Sequence, residues 1–362
     1  MGPLQGVKII EMAGIGPGPF AAMLLSDMGA NVLRLHREGQ GGLFGDAGVD
    51  PVGRGRISLA VDLKDPADRE KVLEFADRAD ALIEGYRPGV MERLGLGPDV
   101  MLARNERLVY GRMTGFGQDG PLAQTAGHDI NYISLSGALD GIGRRGERPV
   151  VPLNLVGDYG GGGMLLALGV VSALFEARGS GQGQVVDAAM VEGSSLLMSV
   201  FHGLRSGGVW KDERGTNVLD SGAHFYEVYE TADGAYFAVG AIEPQFYAEL
   251  LRILELDPAD HPQWDQARWP EFKLVFADTF RRKNRAEWSQ LFEGTDACAT
   301  PVLSLAEAPA HPHNIARNAF LDLEGIPIPA PAPRFSRTPA EVHSGEADAL
   351  EAWGLDGRLA QS

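Results

Sequence analysis

The sequence predicts an α/β protein in two parts: a large domain on a Rossmann-like parallel sheet and a smaller α+β domain. Three observations carry this. The chain opens as strand, glycine turn, helix, strand, which is how a doubly wound parallel sheet begins. Residues 209–223 are polar and glycine-dotted, and a hairpin pattern follows them. At 362 residues the chain also exceeds what one compact core usually holds. The boundaries read as a large domain at 1–205, a linker at 206–223, a small domain at 224–304, and a return segment at 305–362 that packs on the large domain.

In order, residues 7–11 form a short apolar strand that runs into A-G-I-G-P-G-P-F, a glycine turn opening an apolar helix. Residues 31–35 form the second strand. A dinucleotide fingerprint requires G-x-G-x-x-G; here Pro19 replaces the third glycine, and Pro17 removes an N–H that a pyrophosphate would use. The second strand ends in His36 and Arg37 rather than in an acid for a ribose, which argues against a nicotinamide cofactor. Arg37 at a strand's carboxyl end suits a phosphate or an adenine face instead.

Residues 39–55 read as a loop ending in Arg54 and Arg56, and residues 57–63 as a strand. Asp65 and Pro66 then stand as cap and first-turn proline of a helix running to about Ala79. A strand at 81–84, a short helix containing Arg93, and a strand at 108–113 complete this half. Arg37, Arg54, Lys64, Arg87 and Arg93 thus fall at strand ends or in the loops after them, where open α/β sheets bind ligands. Scattered arginines are equally the ordinary solvated surface.

Residues 184–187 form a further strand, followed by a helix from Met190 towards Leu204. In the second domain, segments 224–230 and 236–240 flank the turn Asp233-Gly234 as a hairpin. Helices follow from Phe246 to about Leu254, at 269–281 and at 285–292. A strand at 300–304 leads to a helical return segment at 305–320, a proline-rich stretch from Ile326 and an acidic tail.

Hydrophobic residues at 44% and charged residues at 22% are ordinary for a soluble globular enzyme. The formal charge of −17 argues against nucleic acid as a partner. It is uneven: residues 1–115 carry 14 Lys/Arg against 16 Asp/Glu, and the rest 18 against 33, so an anion meets least repulsion in the first third. The sole cysteine, Cys298, rules out a disulfide within the chain and suits a reducing, cytoplasmic setting. No signal-peptide pattern opens the chain, and the longest apolar run, 164–175, is too short to span a membrane.

The stretch from Ala126 to Gly163 holds two potential proton carriers, His128 and Asp158. His128 stands at the start of a short helix marked by Ile130, Ile133 and Leu135; Asp158 opens G-D-Y-G-G-G-G-M-L-L-A-L, which reads as a buried helix. The bland reading is an N-cap and a satisfied polar residue. The intervening residues 150–155 read as extended and buried, able to bring Asp158 back towards His128.

These segments resemble the α-methylacyl-CoA racemase branch of the family III CoA-transferase superfamily. The resemblance runs from about Leu4 to Phe335. It rests on G-V-K-I-I-E-M-A-G-I-G-P-G-P, S-D-M-G-A-N-V, D-L-K, I-E-G-Y-R-P-G-V-M-E-R-L-G-L-G-P, G-H-D-I-N-Y, G-D-Y-G-G-G-G-M and A-I-E-P-Q. It implies interlocked homodimers with each active site between the large domain of one subunit and the small domain of the other. It also implies a 2-methylacyl-CoA substrate, no added cofactor and no metal. By the resemblance His128 and Asp158 are the two catalytic acid/bases, and Glu243 hydrogen-bonds the histidine. CoA-binding positions are Arg37, the segment Val61, Asp62, Leu63 and Lys64, the turn Gly85, Tyr86 and Arg87, and Arg93. The run Gly127, Asp129, Ile130, Asn131 and Tyr132 around the histidine belongs to the same set.

The residue types fit such chemistry. Racemisation beside a thioester removes a proton from one face of the α-carbon and returns one to the other, so two groups must flank that carbon. By the family pattern, neutral His128 takes the proton of the (S) thioester while protonated Asp158 donates, and the roles reverse for (R). The carboxyl must spend part of its cycle neutral, which a site closed to water favours. Backbone N–H groups at Gly157–Gly161, read as a helix start, are the expected donors to the enolate oxygen. Two rivals stand beside this reading: a family III CoA-transferase with Asp158 as nucleophile, and an acyl-CoA-binding protein without catalysis.

Overall fold

A computed structural model describes residues 2–39, 50–342 and 352–355. The chain forms two compact units, one of residues 1–137, 152–198 and 313–362, the other of 138–151 and 199–312.

The first unit is built on a six-stranded, all-parallel sheet. Its elements begin with β1 (Lys8–Met12), α1 (Pro17–Asp27), β2 (Asn31–His36), β3 (Ile57–Ala60), α2 (Pro66–Ala76) and β4 (Ala81–Glu84). There follow α3 (Val90–Arg93), α4 (Pro98–Arg104), β5 (Val109–Thr114) and α5 (Asp129–Leu135). The strand order is β3-β2-β1-β4-β5-β6, with β6 at Val185–Ala189. The order reverses between β1 and β4, the switch point at which such sheets open a crevice beyond their carboxyl ends. Alternation along the strands sends Ile9, Val32, Ile83 and Val109 into one core layer and Ile10, Leu33, Leu82 and Tyr110 into the other. Asp65 caps α2 by accepting the Ala67 N–H at 2.8 Å, with Pro66 in the first turn.

One layer is closed by a continuous helical run, a π-helical segment (Leu155–Met164) passing into α7 (Leu165–Ser180). By length and composition Leu155–Ser180 could cross a membrane, contrary to the expectation of no such span. Leu166 and Val170 are instead fully buried on the sheet, beside Gly111 of β5, and the glycines of the π-helical segment pack on α1 and α8 (Met190–Leu197). Residues 150–155, expected to be buried, are mostly exposed, with Leu153 at 72%.

The other layer is completed from far along the chain. Trp353 is fully buried there, edge-on to Phe75 at 6.0 Å, with the Lys8 ammonium 6.0 Å from its ring. A hairpin of Phe320–Leu323 and Ile326–Pro329 stands where a helical return and a loop were expected. A two-stranded ribbon consists only of edges, so its prolines cost no ladder bond on their outer side.

The second unit includes a short helix, α6 (Ala138–Gly141), and α9 (Ser199–Ser206). The expected helix from Met190 towards Leu204 is thus two helices, separated at Met198. A three-stranded antiparallel sheet pairs Tyr226–Glu230 with Tyr236–Gly240 and the latter with Ala299–Pro301. Helices Pro244–Leu254, Trp269–Phe280 and Arg285–Phe292 cover it through an aromatic core. Residues 138–151, read as part of the large domain, fold here because Arg214 grips Asp140 and the Glu147 carbonyl while Arg144 pairs with Glu227.

The segment expected as a linker is an ordered loop. The Asp220 carboxylate accepts the N–H groups of Gly215, Asn217 and Gly222, and Asn217 bonds both ends of Lys211's peptide unit. A polar, glycine-rich composition here serves internal hydrogen bonds rather than flexibility.

His224 sits fully buried in the aromatic core, Nε2 2.7 Å from the Tyr247 hydroxyl, with the Phe272 and Phe276 rings 4.9 and 5.0 Å away. Burial, with help from His261 and Lys273, pushes its imidazole down to about 3. The folded state therefore keeps it neutral at pH values where the unfolded chain would protonate it. Stability is constant above the ordinary histidine value near 6.5 and falls as the pH drops from there towards 3. The expected loss, on the order of 4 kcal/mol, is readable as a fall in denaturant midpoint between pH 7 and 4. His224→Phe should flatten that dependence.

Candidate active site

His128 is the residue just before α5. Its backbone is extended and its own N–H donates to the Asn131 side chain at 3.0 Å, leaving the imidazole exposed. Its neighbour Asp129 turns inward, 5% exposed, and Oδ1 accepts the backbone N–H of Asp158 at 2.7 Å. One residue of α5 thereby fixes the segment that carries the second candidate. Gly157 is needed for this approach, since a Cβ there would collide with the Asp129 carboxylate.

Asp158 lies four residues into the π-helical segment, not at a helix start. Wide turns of this kind occur often at functional sites. Its carboxyl is half-buried and accepts a hydrogen bond from Asn154 at 3.1 Å. The glycine turn after β1 reaches the same point: a Cβ on Gly16, which has φ of 70°, would lie 3.2 Å from Asp158 Oδ2. Gly16 therefore makes room for a carboxyl at the end of β1.

Burial raises the Asp158 pKa from its ordinary value. The Asn154 bond lowers it, the Asp129 charge raises it, and His128 acts in the lowering direction. The Asp129 bond to the Asp158 amide joins the residue after His128 to the residue that carries this carboxyl.

Two of the expected enolate donors are already engaged. Gly157–Gly161 lies inside the π-helical segment, the Asp158 N–H is taken by Asp129, and the Tyr159 N–H by the Asn154 carbonyl at 3.3 Å.

The cations at the sheet's carboxyl end divide into two groups. Arg37 follows β2, Lys64 ends the segment after β3, Arg87 follows β4 and Arg93 ends α3; all four are exposed, and none pairs with a described carboxylate. Arg54 is committed elsewhere, to Asp27 and the Pro329 carbonyl, and Arg56 to Glu11. The segment between, residues 40–49, lies outside the described residues.

The sequence pattern of CoA-transferase family III matches residues 4–347. The chain belongs to that family. This family III protein is 51% identical over 339 residues to the alpha-methylacyl-CoA racemase of Mus musculus, covering 93% of this chain and 87% of the relative. It is 48% identical to the Homo sapiens alpha-methylacyl-CoA racemase over the same length and coverage. A solved CaiB/BaiF family protein from Brucella suis shares the fold, with a TM-score of 0.78 at 24% identity, covering 94% of each chain.

The other expected site residues of this family III protein are placed as follows. Val61 and Tyr132 are buried, Val61 in the core and Tyr132 against Phe116 with its hydroxyl donating to the Gly127 carbonyl. Their side chains brace the site, as the Asp129 side chain does, and leave only backbone for a ligand. Asp62 accepts the Lys64 N–H at 3.0 Å, and Arg69 grips the Leu63 and Lys64 carbonyls, so the 61–64 turn is rigid. Gly85, Arg87, Ile130 and Asn131 are exposed, while Tyr86 and Gly127 are half-buried. Glu243 belongs to the second unit, exposed at the start of helix Pro244–Leu254, where its charge helps raise the Cys298 thiol, itself raised chiefly by burial. Two residues were missed: Asn154, whose signal is its spacing of four before Asp158, and Gly16. Among the described residues no group of three or more His, Cys, Asp or Glu could hold a metal.

Proposed function

We propose that this protein interconverts (R)- and (S)-2-methylacyl-CoA thioesters by a 1,1-proton transfer. The observation that carries the proposal is the bond from the Asp158 amide to Asp129, which ties the half-buried carboxyl's segment to the residue after the exposed His128. Both groups must change protonation state in each turnover, one giving and one taking. In the (S) direction His128 accepts the α-proton, an enolate forms, and Asp158 delivers its proton to the opposite face. The return direction runs through the same groups with roles exchanged. The names of the mouse and human relatives support the same reaction and substrate class.

Arg37, Lys64, Arg87 and Arg93 would hold the CoA phosphates and adenine beyond the strands. Arg87→Ala and Arg93→Ala are expected to raise KM about tenfold or more while changing kcat little, because they meet CoA and not the reacting carbon. Steady-state kinetics with each variant checks this; a pure kcat loss would contradict it. Glu243 would support His128 from the partner's small domain in an interlocked homodimer. Exposed apolar side chains on α7 and α9, Leu168, Phe175 and Val200, support burial against a second copy. No cofactor is required by this chemistry. The proposal places the reaction in the metabolism of branched acyl chains, in the cytoplasm.

A transferase would use the Asp158 carboxylate as a nucleophile on the thioester and pass the acyl group to a second acid. Incubation of (S)-2-methylacyl-CoA in deuterated water discriminates. Racemisation with α-deuterium and no acceptor acid is the expected result, and change only on adding an acceptor acid would replace racemase with transferase.

A further inference from the structure

Three neighbouring strands present one charged row, level with the carboxyl end of β4: Glu84 of β4 beside Arg112 of β5 beside Asp187 of β6. Arg112 is 6% exposed, and it belongs to none of the groups assigned above. Its Nε donates to Glu84 Oε1 at 3.0 Å and its Nη1 to Glu92 Oε1 at 2.8 Å, while Nη2 has no hydrogen-bond partner among the described residues. Glu84 uses its second oxygen to accept the Tyr86 N–H at 2.7 Å.

A buried ion pair adds little net stability, because desolvation offsets the attraction; what it supplies is geometry. Here the geometry has a clear object. Tyr86 is the centre of the turn that presents Arg87, and Glu92 immediately precedes Arg93 in α3. One guanidinium therefore ties both cation-bearing segments to β5. The same turn is tied to the loop before His128, through the Gln124 amide on the Pro88 carbonyl at 3.1 Å.

We propose that Arg112 is a positioning residue for the CoA portion of the substrate, fixing the spacing of Arg87 and Arg93 through Glu84 and Glu92. This rests on the reading of the site as a CoA-thioester site. A planar guanidinium can hold two carboxylates in fixed directions; a lysine ammonium cannot reproduce the fork. Without the brace, Arg87 and Arg93 must be ordered by the ligand at each binding event, and affinity falls.

The test uses coenzyme A itself as the titrant, together with racemisation kinetics. Arg112→Lys is expected to weaken CoA binding and raise KM about tenfold, with kcat within about threefold of the parent. Glu92→Gln, at a half-exposed side chain that the fold tolerates, is expected to move both quantities several-fold the same way. In an Arg87→Ala, Arg93→Ala background, Glu92→Gln should add no further loss, because the residues it positions are gone. Unchanged CoA affinity in both single variants, a loss confined to kcat, or full additivity in that background would overturn the proposal. Failure of the unaltered protein to bind CoA would instead overturn the reading beneath it, and is seen before any variant is made.

Discussion

Asp158→Asn is expected to lower racemisation by about 10²–10⁴-fold with little change in KM, the usual cost of removing a general acid/base. The substitution keeps the side chain's size and a partner for Asn154, so folding is not at stake. What it removes is the group proposed to carry a proton on its side of the α-carbon. On the proposed mechanism the working enzyme holds one proton on the His128–Asp158 pair, whichever direction it runs. Activity should therefore be bell-shaped in pH, falling when both sites are loaded and again when both are empty. Because burial raises Asp158, the acid limb should lie higher than an exposed aspartate would set it, and kcat/KM for the two enantiomers should follow the same curve.

Trp353→Ala is expected to destabilise the first unit by about 3–5 kcal/mol, as deletion of a buried indole does elsewhere. A fall in Tm of about 10 °C is the corresponding readout. The side chain is fully buried against Phe75 in the layer that also holds Ile10, Leu33 and Tyr110. A chain ending at residue 342 should melt like the variant. Racemisation well below the transition should remain near normal, since Trp353 is not among the groups placed at the site. A melt unchanged by both alterations would show that the indole does not support the core.

Trp353 also marks the limit of what the sequence discloses. An acidic tail was expected to pack on the large domain, but nothing near Trp353 in the sequence names the cavity beside Phe75, nearly three hundred residues earlier. Local pattern was enough for β1, α1 and β2, where apolar runs and a glycine turn alternate at short range, and for the cap at Asp65. It failed for the hairpin at 320–329, because prolines argue against strands unless the strand is an edge, and edges are a tertiary fact.

The site divides in the same way. His128 and Asp158 are visible as proton carriers, whereas the contact between Asp129 and the Asp158 amide depends on two elements meeting. The π-helical turn itself is not legible, because four adjacent glycines predict no register. Arg54 and Arg37 look alike in sequence; only the positions of Asp27 and Pro329 show that Arg54 is spoken for.

The central claim, two proton carriers on opposite faces of one carbon, is tested most directly by exchange in deuterated water with each enantiomer separately. His128→Asn should still exchange the α-proton of the (R) thioester through Asp158 but not that of (S), and Asp158→Asn should show the reverse. Equal loss of exchange for both enantiomers in both variants would contradict a two-sided site.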